Sequence, residues 1–125
     1  GAFASVCHAL RAVNLPAPER PLQVIGRSPR VSVMILPNGD SAGMLEDLCL
    51  TAAQQDAAMV CVEQFFQCLD LQGVSPPDNT SKAKVQVFLA SRQRALRLGE
   101  AADAGYWPWD DTAFDEVKRF ITLIS

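Results

Sequence analysis

The hydrophobic positions of this chain recur at helical spacing over most of its length. Apolar residues three and four positions apart predict amphipathic helices over residues 3–15, 44–50, 54–71, 82–98 and 114–124, and a further helical turn over residues 100–104. Proline and glycine fall between these segments, at residues 16–21, 73–77 and 105–108, where they predict the connections.

Two segments depart from this pattern and predict strands. Residues 31–36 form a run of β-branched and apolar residues that ends at Pro37, where the backbone loses a donor. Residues 22–25 are a second, shorter candidate. Because the longer run is apolar on both faces, we expect it in a small, mostly parallel sheet flanked by several helices. The predicted fold class is therefore α/β and helix-rich, in a single domain over residues 1–125.

The loop over residues 38–43 joins the predicted strand to the next helix and carries the first candidate site. In open α/β sheets, ligands bind where the carboxyl end of a strand meets a helix N-terminus. Free backbone N–H groups and the helix dipole favour an anion there, so Gly39, Ser41 and Gly43 are candidate anion ligands. A loop that only caps the following helix is the alternative interpretation.

Basic residues concentrate on the predicted helix over residues 82–98. Lys82, Lys84 and the arginines Arg92, Arg94 and Arg97 are candidate phosphate ligands, and a solvated charged face is the alternative. Arg92 falls near the apolar stripe, so we expect it to be paired or to extend its charge to water. The aromatic turn at residues 107–109 offers surface for stacking, but two aspartates follow it, which favours packing of the last helix against the core.

Composition limits the classes of function. The chain has 125 residues and a formal net charge of −3, which suits one domain-sized core and gives no overall attraction to nucleic acid or anionic membranes. No apolar run approaches the roughly 20 residues of a membrane span. Four cysteines without a Cys-x-x-Cys pair, and one histidine, argue against structural zinc. We expect these cysteines to be buried reduced thiols in a cytoplasmic protein.

One stretch carries a family resemblance. LPNGD at residues 36–40, followed by GMLEDLCL at residues 43–50, resembles an uncharacterised bacterial family that is similar to Toprim-like domains. Toprim-like domains are the nuclease and primase fold of topoisomerases and the overcoming-lysogenization-defect nucleases. The resemblance continues through CVEQFF at residues 61–66, KAKVQ at 82–86, LGEAA at 98–102 and GYW at 105–107. It implies Mg²⁺-dependent phosphodiester chemistry in the parent protein, with nucleic acid as a partner.

The resemblance also implies metal ligands. Toprim-like nucleases carry an acidic residue after a late strand that helps to bind a second metal, and Glu46 matches this place. Asp40 is near enough in sequence to share the site, and such oxygen ligands suit Mg²⁺. In the alternative interpretation, Glu46 only interacts with the helix dipole as an acidic residue of the first turn. Because the early glutamate and the Asp-x-Asp pair of Toprim-like domains have no counterpart, we expect this chain to be the C-terminal part of a larger domain and inactive alone.

A second class of function fits the same pattern. An exposed edge of an apolar strand tends to pair with another chain, so we expect a homodimer or higher oligomer. On this hypothesis the chain is a non-enzymatic module that dimerises and binds a partner protein through the strand edge or the aromatic turn. The sequence shows no cofactor motif and no complete metal site, so it identifies no substrate.

Overall fold

The structure, a computed structural model, describes residues 1–36 and 44–125, which are predominantly helical. The helices are α1 (Ala2–Ala12), α2 (Leu45–Ala52), α3 (Ala58–Leu71), α4 (Thr80–Ala90), α5 (Leu98–Asp103) and α6 (Asp115–Ile124), and a 3₁₀ turn at Thr112–Phe114 precedes α6. None of the helices in the described ranges has the length and apolar character to cross a membrane. The chain divides into two compact units, Gly1–Leu45 with Phe114–Ser125, and Glu46–Ala113.

The predicted α/β fold with a mostly parallel sheet is wrong, since residues 1–36 and 44–125 contain no strand. Ile25 and Val31 instead form an isolated antiparallel bridge with N···O distances of 2.9 and 2.8 Å. The backbone N–H of Leu22 also donates to the Val33 carbonyl at 2.8 Å, but Leu22 has a φ of +66°, whereas a strand needs a φ near about −120°, so residues 22–25 do not form a regular strand. The strand edge that was expected to drive association is therefore not present in this part of the chain.

The unit Gly1–Leu45 with Phe114–Ser125 has a small core around α1. Cys7 is 2% exposed, and its Sγ lies 3.5 Å from the carbonyl oxygen of the buried Pro18. The apolar spacing over residues 3–15 predicts one buried face formed by Phe3, Val6, Cys7, Leu10 and Val13, but Val6 and Val13 are exposed, so the prediction is wrong at these two positions. Gly26 has a φ of +79°, and a Cβ there would lie 2.5 Å from the Pro29 carbonyl oxygen, so this turn requires glycine.

The unit Glu46–Ala113 contains the larger core. Within it α3 packs against α4, and α4 packs against α5. Trp107 stacks on Phe88 with 5.3 Å between ring centroids, which fixes the aromatic turn onto α4. The buried apolar residues of this unit are Leu48, Cys49, Ala52, Ala53, Met59, Val62, Val85, Phe88, Leu89, Ala101 and Trp107.

Helix α4 is shorter than its apolar pattern indicated. It begins at Thr80, where the Asn79 side chain accepts a hydrogen bond from the backbone N–H of Lys82 at 2.9 Å. It ends at Ala90 rather than at residue 98. The hydroxyl of Ser91 donates to the carbonyl of Phe88 at 2.6 Å, a local bond that competes with continuation of the helix. The chain then turns, and residues 95–98 line a cavity beside α4.

Candidate functional site

A cavity of about 320 Å³ lies beside α4, and we call it the α4 cavity. Val85 and Leu89 line it from α4, and Leu96 and Leu98 line it from the segment that follows the helix. Val85 and Leu89 are also core residues, with 2% and 4% of their surface exposed. The interior of the cavity is therefore apolar, and its walls belong to a packed and ordered part of the unit.

Three charged side chains line the same cavity. Glu46 lies in the first turn of α2, Lys82 in the first turn of α4, and Arg97 immediately before α5. The hydroxyl of Ser81 donates a hydrogen bond to the carboxylate of Asp47, which holds the first turns of α2 and α4 together. Glu46 and Lys82 were separate candidates in the sequence, one for metal and one for an anion, and the structure places them at one cavity. Arg97 was also a candidate phosphate ligand, but on a helix predicted to run to residue 98, whereas it lies after the end of α4 and immediately before α5.

Among the other candidates within the described residues, Lys84, Arg92 and Arg94 do not line this cavity. Lys84 pairs with the carboxylate of Glu63, with Nζ···O distances of 2.9 and 3.0 Å, and this pair joins α4 to α3. In residues 1–36 and 44–125 no group of three or more His, Cys, Asp or Glu residues is arranged to hold a metal ion. The remaining candidates fall within residues 37–43, outside the described residues: Gly39, Asp40, Ser41 and Gly43.

Glu46 also acts on a buried thiol. Cys49 is 2% exposed, and this burial raises the pKa of its thiol. The negative charge of Glu46 adds to the effect, which brings the pKa from 9.0 to about 11. A thiol with so high a pKa stays protonated at neutral pH and is a poor nucleophile. Cys49 is therefore a core residue, and Glu46, whose charge acts on it, also lines the α4 cavity.

Arg92 belongs to a structural network in the same unit. Its Nη2 lies 2.6 Å from Oδ2 of Asp56, and its guanidinium carbon lies 4.2 Å from the centroid of the Phe88 ring. Burial alone would raise the pKa of the Asp56 carboxyl, but the N–H of Ala58 and the charge of Arg92 outweigh it and lower that pKa. The expectation that Arg92 is paired or extends its charge to water is thus decided in favour of pairing. The sequence indicated this position, because Arg92 follows Phe88 by four residues and therefore lies near the apolar face of the helix predicted over residues 82–98.

Helix α3 has an apolar stripe on its solvent side. Cys61 and Cys68 are exposed free thiols, so the expectation of four buried cysteines is wrong for these two. The apolar spacing over residues 54–71 predicts a core face formed by Ala58, Cys61, Val62, Phe65 and Leu69, but Phe65 is 46% exposed. Val62, which has 1% of its surface exposed, does face the core. The helix is therefore apolar on two sides, and only one of them is covered.

These features define a helical protein of two units, one of which carries an apolar cavity with a charged rim. The family model described as "Protein of unknown function (DUF3226)" matches residues 2–124, so the chain belongs to that family. No curated protein and no solved structure matches this chain. The match confirms the prediction of an uncharacterised domain family.

Proposed function

We propose that this chain is a non-enzymatic interaction module that forms a homodimer through the outer face of α3, formed by Val60, Cys61, Phe65, Cys68 and Leu71. The observation that carries the proposal is the exposure of apolar side chains at positions 61, 65 and 68. This spacing of four and three residues is the one that aligns a contact seam along a helix. Val60 and Leu71 extend the face, with 61% and 85% of their surface exposed.

The distribution of charge supports a second copy of this chain as the partner. In a two-fold symmetric contact the same patch faces itself, so a net charge on the patch would oppose association. Gln64 and Gln67, the glutamines among the apolar residues, are uncharged. Glu63 is paired with Lys84 within the same chain. Asp70, next to Leu71, is exposed, so a symmetric contact would have to leave this carboxylate in water at the end of the face. Most of the outer face of α3 therefore carries no charge that would oppose a second copy.

Phe65 should contribute most to this contact. An aromatic side chain buries about 200 Å² in full, so the 46% that is exposed offers about 90 Å². At about 25 cal/mol per Å² its burial stabilises the dimer by about 2 kcal/mol per copy. Phe65→Glu should therefore weaken self-association at least about a hundredfold. Val13→Glu places the same charge at a position that is 63% exposed in the other unit and should leave association unchanged.

Sedimentation velocity at micromolar concentrations measures this difference. A monomeric unsubstituted chain at tens of micromolar, or a Phe65→Glu variant that dimerises as tightly as the unsubstituted chain, would refute the proposal. The exposed thiols give a second readout, since mild oxidation should link two chains through Cys61 or Cys68. The Cys61→Ser/Cys68→Ser variant should give no linked dimer, because Cys7 and Cys49 are buried.

Mg²⁺-dependent phosphodiester chemistry in the parent protein is a separate proposal that rests on the resemblance. In that proposal Glu46 and Asp40 would be the metal ligands, and nucleic acid would be the substrate class. Its test is Mn²⁺-dependent nicking of supercoiled DNA, with Glu46→Gln as the variant and the exposed Asp78→Asn as the control. Nicking that survives in Glu46→Gln would exclude this role for Glu46.

A further inference from the structure

The α4 cavity has the size and lining of a small-molecule site, a property beyond the proposed dimer. Its volume of about 320 Å³ lies at the lower end of the range for ligand pockets, about 300–1,000 Å³. Val85, Leu89, Leu96 and Leu98 give it apolar walls. A pocket of this kind takes a small ligand with a hydrocarbon portion, and its specificity comes from the few polar groups at its edge.

The cations at the rim differ from the other basic residues of this region. Lys84 pairs with Glu63, and Arg92 pairs with Asp56. Lys82 and Arg97 are exposed, and in the described parts of the chain neither forms an ion pair. Two cations and one carboxylate line the cavity, so the charged side chains of its lining sum to a positive charge that attracts an anion. The carboxylate of Glu100, which accepts a hydrogen bond from the backbone N–H of Arg97 at 3.1 Å, is nearby but does not line the cavity.

We propose that the α4 cavity binds a small apolar carboxylic acid, with the hydrocarbon between α4 and residues 95–98 and the carboxylate at the edge that Lys82 and Arg97 make positive. Glu46 opposes an anion at the same edge, so it limits the affinity and disfavours ligands with two negative charges. The apolar walls provide the binding energy, and the two cations select a carboxylate over a neutral ligand of the same length.

Titration of the full chain with three ligands of one chain length tests this proposal. Sodium octanoate, octanol and octylammonium chloride share the hydrocarbon and differ only in charge. Amide chemical shifts of Val85, Gln86, Ala90 and Leu96, which line the cavity, report where each ligand binds. We expect octanoate to bind most tightly and octylammonium most weakly, and we expect added salt to weaken octanoate binding but not octanol binding.

Substitutions at the rim provide the second part of the test. Lys82→Gln and Arg97→Gln should each weaken octanoate binding about two- to fivefold and leave octanol binding unchanged. Glu46→Gln should strengthen octanoate binding. Arg94→Gln removes an exposed arginine that does not line the cavity and should change neither.

Three results would overturn the proposal. The first is equal binding of octanoate and octanol, which would leave no role for the cations. The second is tighter binding of octylammonium, which would show that Glu46 dominates the edge. The third is the absence of shifts at the cavity residues at millimolar octanoate, which would exclude the cavity as the site. These results are independent of whether the chain dimerises through α3.

Discussion

Replacement of Trp107 by alanine tests how the larger core is held together. Trp107 is 2% exposed and stacks on Phe88, so it buries about 200 Å² of mostly apolar surface. At about 25 cal/mol per Å² this corresponds to about 5 kcal/mol, an upper limit because the unfolded chain already buries part of that surface. Its Nε1–H lies 3.5 Å from the Leu98 carbonyl oxygen, a distance at which a hydrogen bond adds little. We therefore expect Trp107→Ala to lower the free energy of unfolding by about 3–5 kcal/mol.

Trp109 provides a matched control two residues away. It is 45% exposed and buries about 110 Å², so the same arithmetic gives an upper limit of about 3 kcal/mol, and Trp109→Ala should cost clearly less than Trp107→Ala. Urea denaturation followed by circular dichroism measures the free energy of unfolding of both variants, and it does not depend on tryptophan fluorescence. If Trp107→Ala does not fold, Trp107→Phe and Trp109→Phe provide the same comparison with smaller losses. Equal losses at the two positions would refute the assignment of Trp107 to the core and of Trp109 to its surface.

Other positions of the chain respond to pH or truncation in defined ways. Burial raises the pKa of Cys49 from 9.0 to about 11, so the unfolded chain loses this proton first. Stability should be complete below pH 9 and fall by up to about 3 kcal/mol as the pH rises towards 11, and urea titrations of Cys49→Ala should show a flatter dependence. The pKa of Asp56 is lowered in the folded chain, so its carboxylate stabilises the fold at a pH above the unfolded pKa of 3.8. This stabilisation is lost as the pH falls through the pKa of the folded state. Asp56 and Arg92 are both partly exposed, so a double-mutant cycle of Asp56→Asn and Arg92→Met should give a coupling free energy of only about 0.5–1 kcal/mol. Additive effects of the two substitutions would contradict the pairing. Leu48 is 4% exposed, so Leu48→Ala should lower the free energy of unfolding by about 2–5 kcal/mol. Leu45 is 41% exposed, so Leu45→Ala should lower it by less than about 1 kcal/mol. Similar losses for the two variants would place Leu45 in the core.

The α4 cavity shows how far sequence reasoning reached towards a site. Glu46 was singled out by its place in a family motif and Lys82 by its place in a basic stretch, yet nothing in the sequence related the two. The structure places both at one cavity, and next to them the Ser81 hydroxyl donates to Asp47, which links the first turns of the two helices. Arg97 reaches the same cavity only because α4 ends at Ala90 and the chain turns.

The sequence by itself determined where most helices form. The predictions over residues 44–50, 54–71 and 114–124 correspond to Leu45–Ala52, Ala58–Leu71 and Asp115–Ile124, because apolar spacing and helix-ending residues act within a few positions of the chain. The tertiary structure decided which apolar residues are buried. It left Phe65 and Cys61 exposed, buried Trp107 against Phe88, and left α6 without a buried residue despite its amphipathic pattern. It also left residues 31–36 without a strand, because burial and strand pairing both depend on partners that lie far away in the sequence.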